Sequence, residues 1–237
     1  MQIVKEFNIQ DSCSYLENKD ADTTYQLVEN CSIYELKNYL EHGYRRFGKI
    51  LFRPMCEGCC ECQSIKIDVE RYNFSKSKRR VIKKASHIKT HIQRPLLSQE
   101  HLDLYEKYHL YMKDKKGWDH KKTTPTHYYN SFVDGSYDFG YEILYFDDDK
   151  LIGVDLIDIV DDPISSIYFY YDPDYSSYSL GKLSMYNQIL IAKEHNLKWV
   201  YLGYYVKECP SLSYKAEYKP YLTLQKRPSL YEKAVWI

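Results

Sequence analysis

No segment of this 237-residue chain comes near the roughly 20 consecutive apolar residues that a membrane-spanning helix requires. That absence excludes a helical membrane protein. The opening residues, MQIVKEFNIQ, lack the basic stretch, apolar stretch and small-residue cleavage site of a secretion signal, so the expected compartment is the cytoplasm. Net charge is missing too, since 33 Lys and Arg balance 33 Asp and Glu. No repeat, low-complexity tract or Gly/Ser linker interrupts the chain. At this length a core forms without covalent help, as one large domain or two modest lobes. Without a secretion signal the seven cysteines argue against a disulfide framework, because the cytosol keeps thiols reduced.

What the chain has in excess is tyrosine, 27 against 8 phenylalanines. Each buried hydroxyl needs a partner, so a core alone rarely demands so many. Either the chain presents rings on a stacking surface or tyrosine replaces phenylalanine generally. The balanced charge also hides an uneven distribution: residues 71–94 carry nine Lys or Arg and no acid, and residues 134–174 carry twelve acids and one base, Lys150. Such asymmetry suits a chain that grips a polyanion with one face, or two solvated faces of opposite sign.

The segment NCSIYELKNYLEHGY predicts a helix with Ser32 as N-cap, Glu35 closing a capping box and Gly43 as the stop. RRFGKILFR and SIKIDV read as paired strands, with the cysteine run as the loop between them. SKSKRRVIKK predicts a short basic helix. SQEHLDLYEKYHLYMKDKKG predicts a longer one, with Leu102, Tyr105, Tyr108 and Met112 on one face and Gly117 at its end. From Gly140 three apolar strands follow one another, then a helix, KLSMYNQILIAKEHN, and a last strand, KWVYLGYY. This order describes an α+β layout with an acetyltransferase-like, Gcn5-related C-terminal domain and a smaller α+β N-terminal domain. The expected division is 1–72 with the cysteine cluster, a basic connector 73–98, and the C-terminal domain 99–237.

Cys56, Cys59 and Cys62 are spaced C-x-x-C-x-x-C, with Cys60 as an extra. Three soft sulfurs favour zinc or an iron-sulfur centre over a hard cation, and Cys13 is the best candidate for a fourth ligand. Reduced, unliganded thiols are the plain alternative. Thioredoxin-like redox work lacks its strand, C-x-x-C, helix context.

CSYL, YRRFGKILFRPMCEGCCECQS, SKSKRR, SSIYFYYDPDYSSYSLG, YLGYYVKECPSLSYKAEYKP and the final VWI, in that order, resemble the aminoacyl-tRNA protein transferases of the N-degron pathway. The resemblance runs from Cys13 to the C-terminus. It departs from the family pattern at Cys60, at Lys78, where many members have Gln, and at Ser211, where members commonly have Lys. Its wording is similar to the bacterial branch, which moves leucine from leucyl-tRNA to proteins beginning with Asp or Glu; the eukaryotic branch moves arginine.

The resemblance implies aminolysis of an ester, with leucyl-tRNA and the acceptor protein as partners, a monomer, and no cofactor required for catalysis beyond a structural zinc or iron-sulfur centre. For tRNA the candidates are Lys76, Lys78, Arg79, Arg80 and Lys83 on the basic helix. For the terminal adenosine and ester they are the rings Tyr168 and Tyr170, with Asp172, and the helix start Ser179, Leu180 and Gly181. A fixed cation best selects an acidic acceptor side chain, which points to Arg45 or Arg46 and then Lys215. Adjacent strand residues face opposite ways, so one arginine of the pair should turn from the site. Glu142, an acid within an apolar strand, is the candidate partner or proton acceptor for the ammonium. The alternatives are an arginine donor and a non-catalytic, metal-containing RNA-binding protein.

Overall fold

The structure, a computed structural model, describes residues 1–237. Strand β1 (Gln2–Ser12) pairs antiparallel along its length with β2 (Asp20–Glu29). Helix α1 (Ile33–Glu41) begins at Ser32, and Ser32 and Glu35 make both bonds of the expected capping box. The RRFGKILFRP segment turns at Gly48 into a hairpin of β3 (Arg45–Phe47) and β4 (Ile50–Pro54). These strands complete a four-stranded sheet in the order β1-β2-β4-β3. Gly48 has φ +54°, and a β-carbon there would lie 1.8 Å from the Asn130 carbonyl oxygen. Only glycine lets this turn dock where it does.

The remaining elements are β5 (Gln63–Asp68), α2 (Lys76–Lys84), β6 (Lys89–Gln93), α3 (Gln99–Lys116) and the short α4 (Pro125–Tyr128), which runs into a π-helical turn (Tyr129–Val133). Then come β7 (Gly140–Asp147), β8 (Lys150–Ile159), β9 (Pro163–Tyr171), a 3-10 turn (Pro173–Tyr178), α5 (Leu180–Glu194) and β10 (Trp199–Tyr205). A short α6 (Pro210–Ser213), a second 3-10 turn (Tyr214–Glu217) and β11 (Tyr221–Thr223) close the chain. The seven-stranded sheet has the order β11-β5-β10-β9-β8-β7-β6. Every adjacent pair is antiparallel except β9 and β10. Three antiparallel strands, a returning helix and a strand laid parallel to the third form the expected acetyltransferase-like layout. Strand β5, from residues 1–72, and β6, from residues 73–98, both belong to this sheet. The cysteine run therefore links two different sheets, contrary to the expectation that the strands flanking it pair with each other.

Alternation along the strands sorts the core. Asp155 and Ile157 of β8 face α5, and Val154 and Leu156 face α3. The largest cluster, including Ile65, Ile143, Leu183 and Ile189, lies under α5 and α2. On β10, Val200 and Leu202 join that cluster, whereas Tyr201 joins α1 and the small sheet through Leu36, Leu51 and Val28. The small sheet thus sits on the same side of the large one as α3. In α3 the fully buried residues are His101, Leu104 and Tyr108, with the expected Leu102, Tyr105 and Met112 only half-buried, because α3 lies flat over β8 and β9 and covers a wider stripe. No helix is long and apolar enough to cross a membrane.

Candidate active site at a strand fork

Strands β9 and β10 pair only at their starts, where Trp199, Val200 and Tyr201 lie beside Pro163, Ile164 and Ser165. Beyond Ser165 and Tyr201 they part. Both bulge at that point: Ile157 and Leu156 of β8 face Ser166 and Tyr168, skipping Ile167, and Tyr201 and Gly203 face Lys66 and Ile65 of β5, skipping Leu202. A fork between two strands leaves main-chain groups without ladder partners, and those groups must be satisfied otherwise. Here side chains do it. The Arg45 guanidinium, from β3, donates to the Ser166 carbonyl, and Lys215 Nζ donates to the Tyr204 carbonyl at 2.7 Å. Gly203, at φ +83°, leaves the room Arg45 needs, since a β-carbon would lie 2.9 Å from the guanidinium carbon.

Two of the three cations expected to select an acidic acceptor are brought together here. Arg45 Nη1 is buried and has no hydrogen-bond partner. Burial, and then the Arg45 charge, push the Lys215 ammonium down to about 7. Tyr15, Cys62 and Cys209 surround the pair closely enough to feel or supply charge. Arg46 turns the other way. It forms a buried two-pronged pair with Asp158, at 2.6 and 2.8 Å, and donates to the carbonyls of Gly48 and Gly135. Four of its five N–H groups fasten the β3–β4 turn to the large sheet, and burial keeps the group away from a ligand.

Glu142 is fully buried on β7, across from Leu156, and so faces α3 two strands away from the fork. It accepts from Gln93 Nε2 at 2.7 Å and lies 3.3 Å from His101 Nε2. The acid that does approach the fork is Asp155, on the opposite face. Ser184 Oγ donates to it at 2.8 Å and Gln188 Nε2 at 2.9 Å; Gln188 also reaches Ser166 Oγ at 3.3 Å. Burial pushes the Asp155 carboxyl up to about 7. A chain of contacts therefore runs Asp155, Gln188, Ser166, Arg45. Sequence reading missed it, although GVDLIDIV held the same signal used for Glu142, and Ser184 and Gln188 are polar residues four apart on one helix face.

At the open end of the fork lies the start of α5. Ser179 has left-handed backbone and makes no side-chain cap, and the N–H groups of Leu180 and Gly181 have no partner in the chain. Nothing lies within 4 Å of where a Gly181 side chain would project. Helix α2 packs alongside, with Lys84 donating to the Ser177 carbonyl at 2.8 Å. Lys76, Arg79, Arg80 and Lys83 are exposed; Lys78 folds over the Tyr72 ring. Arg79 and Lys83 line a cavity of about 300 Å³ with Leu183 and Asn187 of α5. The basic helix and the helix start are thus neighbours. Tyr168 and Tyr170 are not with them: on the α3 face, Tyr168 bonds His109 and Tyr170 bonds Tyr128. Asp172 is held by Lys107 at 2.5 Å and Lys150 at 2.7 Å, and caps the 3-10 turn.

Cys13, Cys56 and Cys59 all lie close enough to Cys62 to influence its thiol, which burial pushes up to about 12. The donor set suits a soft ion. In the arrangement seen, however, no three of these residues converge on one point. Cys56 Sγ is engaged with the Asp22 main chain, and Arg227 donates to the carbonyls of Cys56 and Cys59.

The returning helix laid beside a strand fork makes the fold acetyltransferase-like. Comparison with known proteins narrows the class. The model of the arginine-tRNA-protein transferase C terminus matches residues 100–225, and that of the N terminus matches residues 11–80. An aspartate/glutamate leucyltransferase of Campylobacter jejuni subsp. jejuni serotype O:6 is 49% identical over 227 residues, covering 96% of this chain and 95% of its own. One from Helicobacter hepaticus is 42% identical over 236 residues, covering 100% and 98%. Among solved structures, L-PGS from Bacillus licheniformis aligns with a TM-score of 0.45 at 13% identity, over 72% of this chain and 50% of that one. This chain belongs to the arginine-tRNA-protein transferase family.

Proposed function

We propose that this enzyme transfers leucine from leucyl-tRNA to the N-terminal α-amine of proteins beginning with Asp or Glu, marking them for N-degron degradation. The observation that carries the reading is Arg45 at the fork, with one buried donor unpartnered and Lys215 beside it. An acceptor carboxylate supplies the missing partner; a neutral side chain leaves the cation desolvated and unpaired. Leucine as the donated residue is supported by the relatives that are named aspartate/glutamate leucyltransferases.

In the transfer, the neutral α-amine attacks the ester carbonyl carbon and a C–N bond forms. The C–O bond to the terminal ribose breaks, and the proton lost from nitrogen ends on the ribose oxygen. An α-amine has a pKa of about 8, so a useful fraction is neutral without a strong base. The fork therefore acts by holding two substrates in line and excluding water. The exposed cations of α2 take tRNA phosphates, and the free N–H groups at the α5 start receive the terminal phosphate beside the open end of the fork. A zinc or iron-sulfur centre at Cys13, Cys56, Cys59 and Cys62 belongs to the same proposal as a structural tie, and elemental analysis of anaerobically purified protein decides it. The deciding assay for function uses tRNA charged with labelled leucine or arginine and peptides beginning with Asp, Glu, Asn or Ala. Label from leucyl-tRNA should enter the Asp and Glu peptides alone; entry from arginyl-tRNA, or no entry, overturns the reading.

A further inference from the structure

The four-stranded sheet has one covered face and one open face. Val28 and Leu51 turn inward to α1, and the residues alternating with them turn out. Register places Phe7 beside Tyr25, Tyr25 beside Phe52, and Phe52 beside Arg45, so a single row crosses all four strands on the open face. The rings stack along it, with centroids 5.5 Å apart for Phe7–Tyr25 and 5.8 Å for Tyr25–Phe52. Phe52 also meets Tyr204 of β10 at 6.5 Å, and Phe47 stacks on Phe52 at 5.6 Å. None of these rings outside the fork is fully covered, and Ile9 at the outer edge is 47% exposed. A stripe of rings half in water, leading to an arginine whose buried Nη1 is unpartnered, has the form of a track into the fork.

We infer that this stripe binds the acceptor polypeptide just behind its first residue, an inference that rests on the acceptor selection proposed above. Charge chooses the occupant. The open face contributes two cations, Lys5 and Arg45, and Lys5 lies over the Phe7 ring at 5.3 Å. The exposed cations of α2 lie on the far face of the large sheet, so tRNA is held there and the sheet face is left to protein. Length fits as well. Three strand spacings of about 4.8 Å make a track of about 14 Å, which an extended chain at about 3.3 Å per residue covers in four residues or so. With the first side chain on Arg45, acceptor residues two to five lie over Phe52, Tyr25 and Phe7, and apolar side chains there gain most.

The test uses intact protein, leucyl-tRNA and acceptor peptides beginning with Asp, from two to eight residues long, with apolar or Gly/Ser continuations. For the unaltered enzyme the acceptor KM should fall as the apolar peptide lengthens to about five residues and then level off. Phe7→Ala and Tyr25→Ala should each raise KM for a six-residue apolar peptide about tenfold, the usual effect of losing an aromatic anchor. Neither should change KM for the dipeptide or for leucyl-tRNA. A flat length series overturns the inference even if the variants fail to fold. A rise in the leucyl-tRNA KM assigns the stripe to nucleic acid and overturns it, as does loss of self-association, which assigns it to a second copy. If the unaltered enzyme leucylates no Asp peptide of any length, the underlying function fails and takes this inference with it.

Discussion

The two faces of the seven-stranded sheet differ in how they treat charge. Under α5 and α2 the interior is mainly aliphatic, with Tyr72, Tyr145, Tyr186 and Tyr218 among it and one acid, Asp155, whose carboxyl burial pushes up to about 7; the exterior is a set of exposed cations. On the other face the small sheet buries a charge pair, Arg46 with Asp158, and α3 sets His101 3.3 Å from Glu142 among aromatic rings. At the fork a cation from that side, Arg45, reaches between strands without an ionic partner. Two large substrates that must meet at one carbonyl carbon need separate approaches. The contrast between the faces supplies them.

The largest effect on transfer should come from removing the cation that crosses. Arg45→Gln is expected to lower kcat/KM for Asp acceptors by roughly 30-fold to several thousand-fold, the consequence of about 2–5 kcal/mol, with the poor rate on Asn acceptors almost unchanged. A variant that keeps the Asp-to-Asn ratio would break the distinction between Arg45 and its neighbour. Arg46→Gln sharpens it from the other side. Leaving Asp158 buried without its partner should cost about 3–5 kcal/mol of stability, read from urea unfolding, with the ratio kept in whatever folds.

A third test concerns the acid on the aliphatic face. Asp155 holds its proton to about pH 7 in the folded chain, whereas an unfolded carboxyl releases it near 3.8. Between those values the folded state binds the extra proton, so this group's stabilising share is present in acid and is lost as pH rises from about 4 to 7. The fall should be a few kcal/mol by urea midpoints, and Asp155→Asn should flatten it. Ser184 and Gln188 contact this carboxyl and Tyr145 feels its charge. The smallest effect is expected at the exposed cations: Arg79→Ala with Arg80→Ala should weaken tRNA about tenfold and lower the salt slope by about two, with acceptor KM unchanged.

Much of this was legible in the residues. The capping box at Ser32 and Glu35, the stop at Gly117 and the α5 start at Leu180 follow from local chemistry, which neighbouring residues decide. The opposite facing of Arg45 and Arg46 follows from strand alternation. What was not legible depended on partners distant in sequence. The β3–β4 hairpin turns at a glycine that is required because the Asn130 carbonyl lies against it, and β5 leaves its sequence neighbour for β10. Glu142 and Asp155 give the same signal, an acid in an apolar strand. Only the pairing of β8 with β9 and the placing of α5 put Asp155 by the fork and Glu142 away from it.

Strand β5 lies inside the large sheet, hydrogen-bonded on one side to β10 and on the other to β11, the last strand of the chain. The two stretches that match the family's N- and C-terminal models are therefore dovetailed. Neither can be inherited, swapped or expressed alone without leaving raw strand edges, so recombination between relatives at the junction would be punished unless both halves came from a matched pair. A chain lacking its final strand would leave β5 with an unpaired edge two strands from the fork, so the C-terminal strand closes a sheet that the N-terminal half begins.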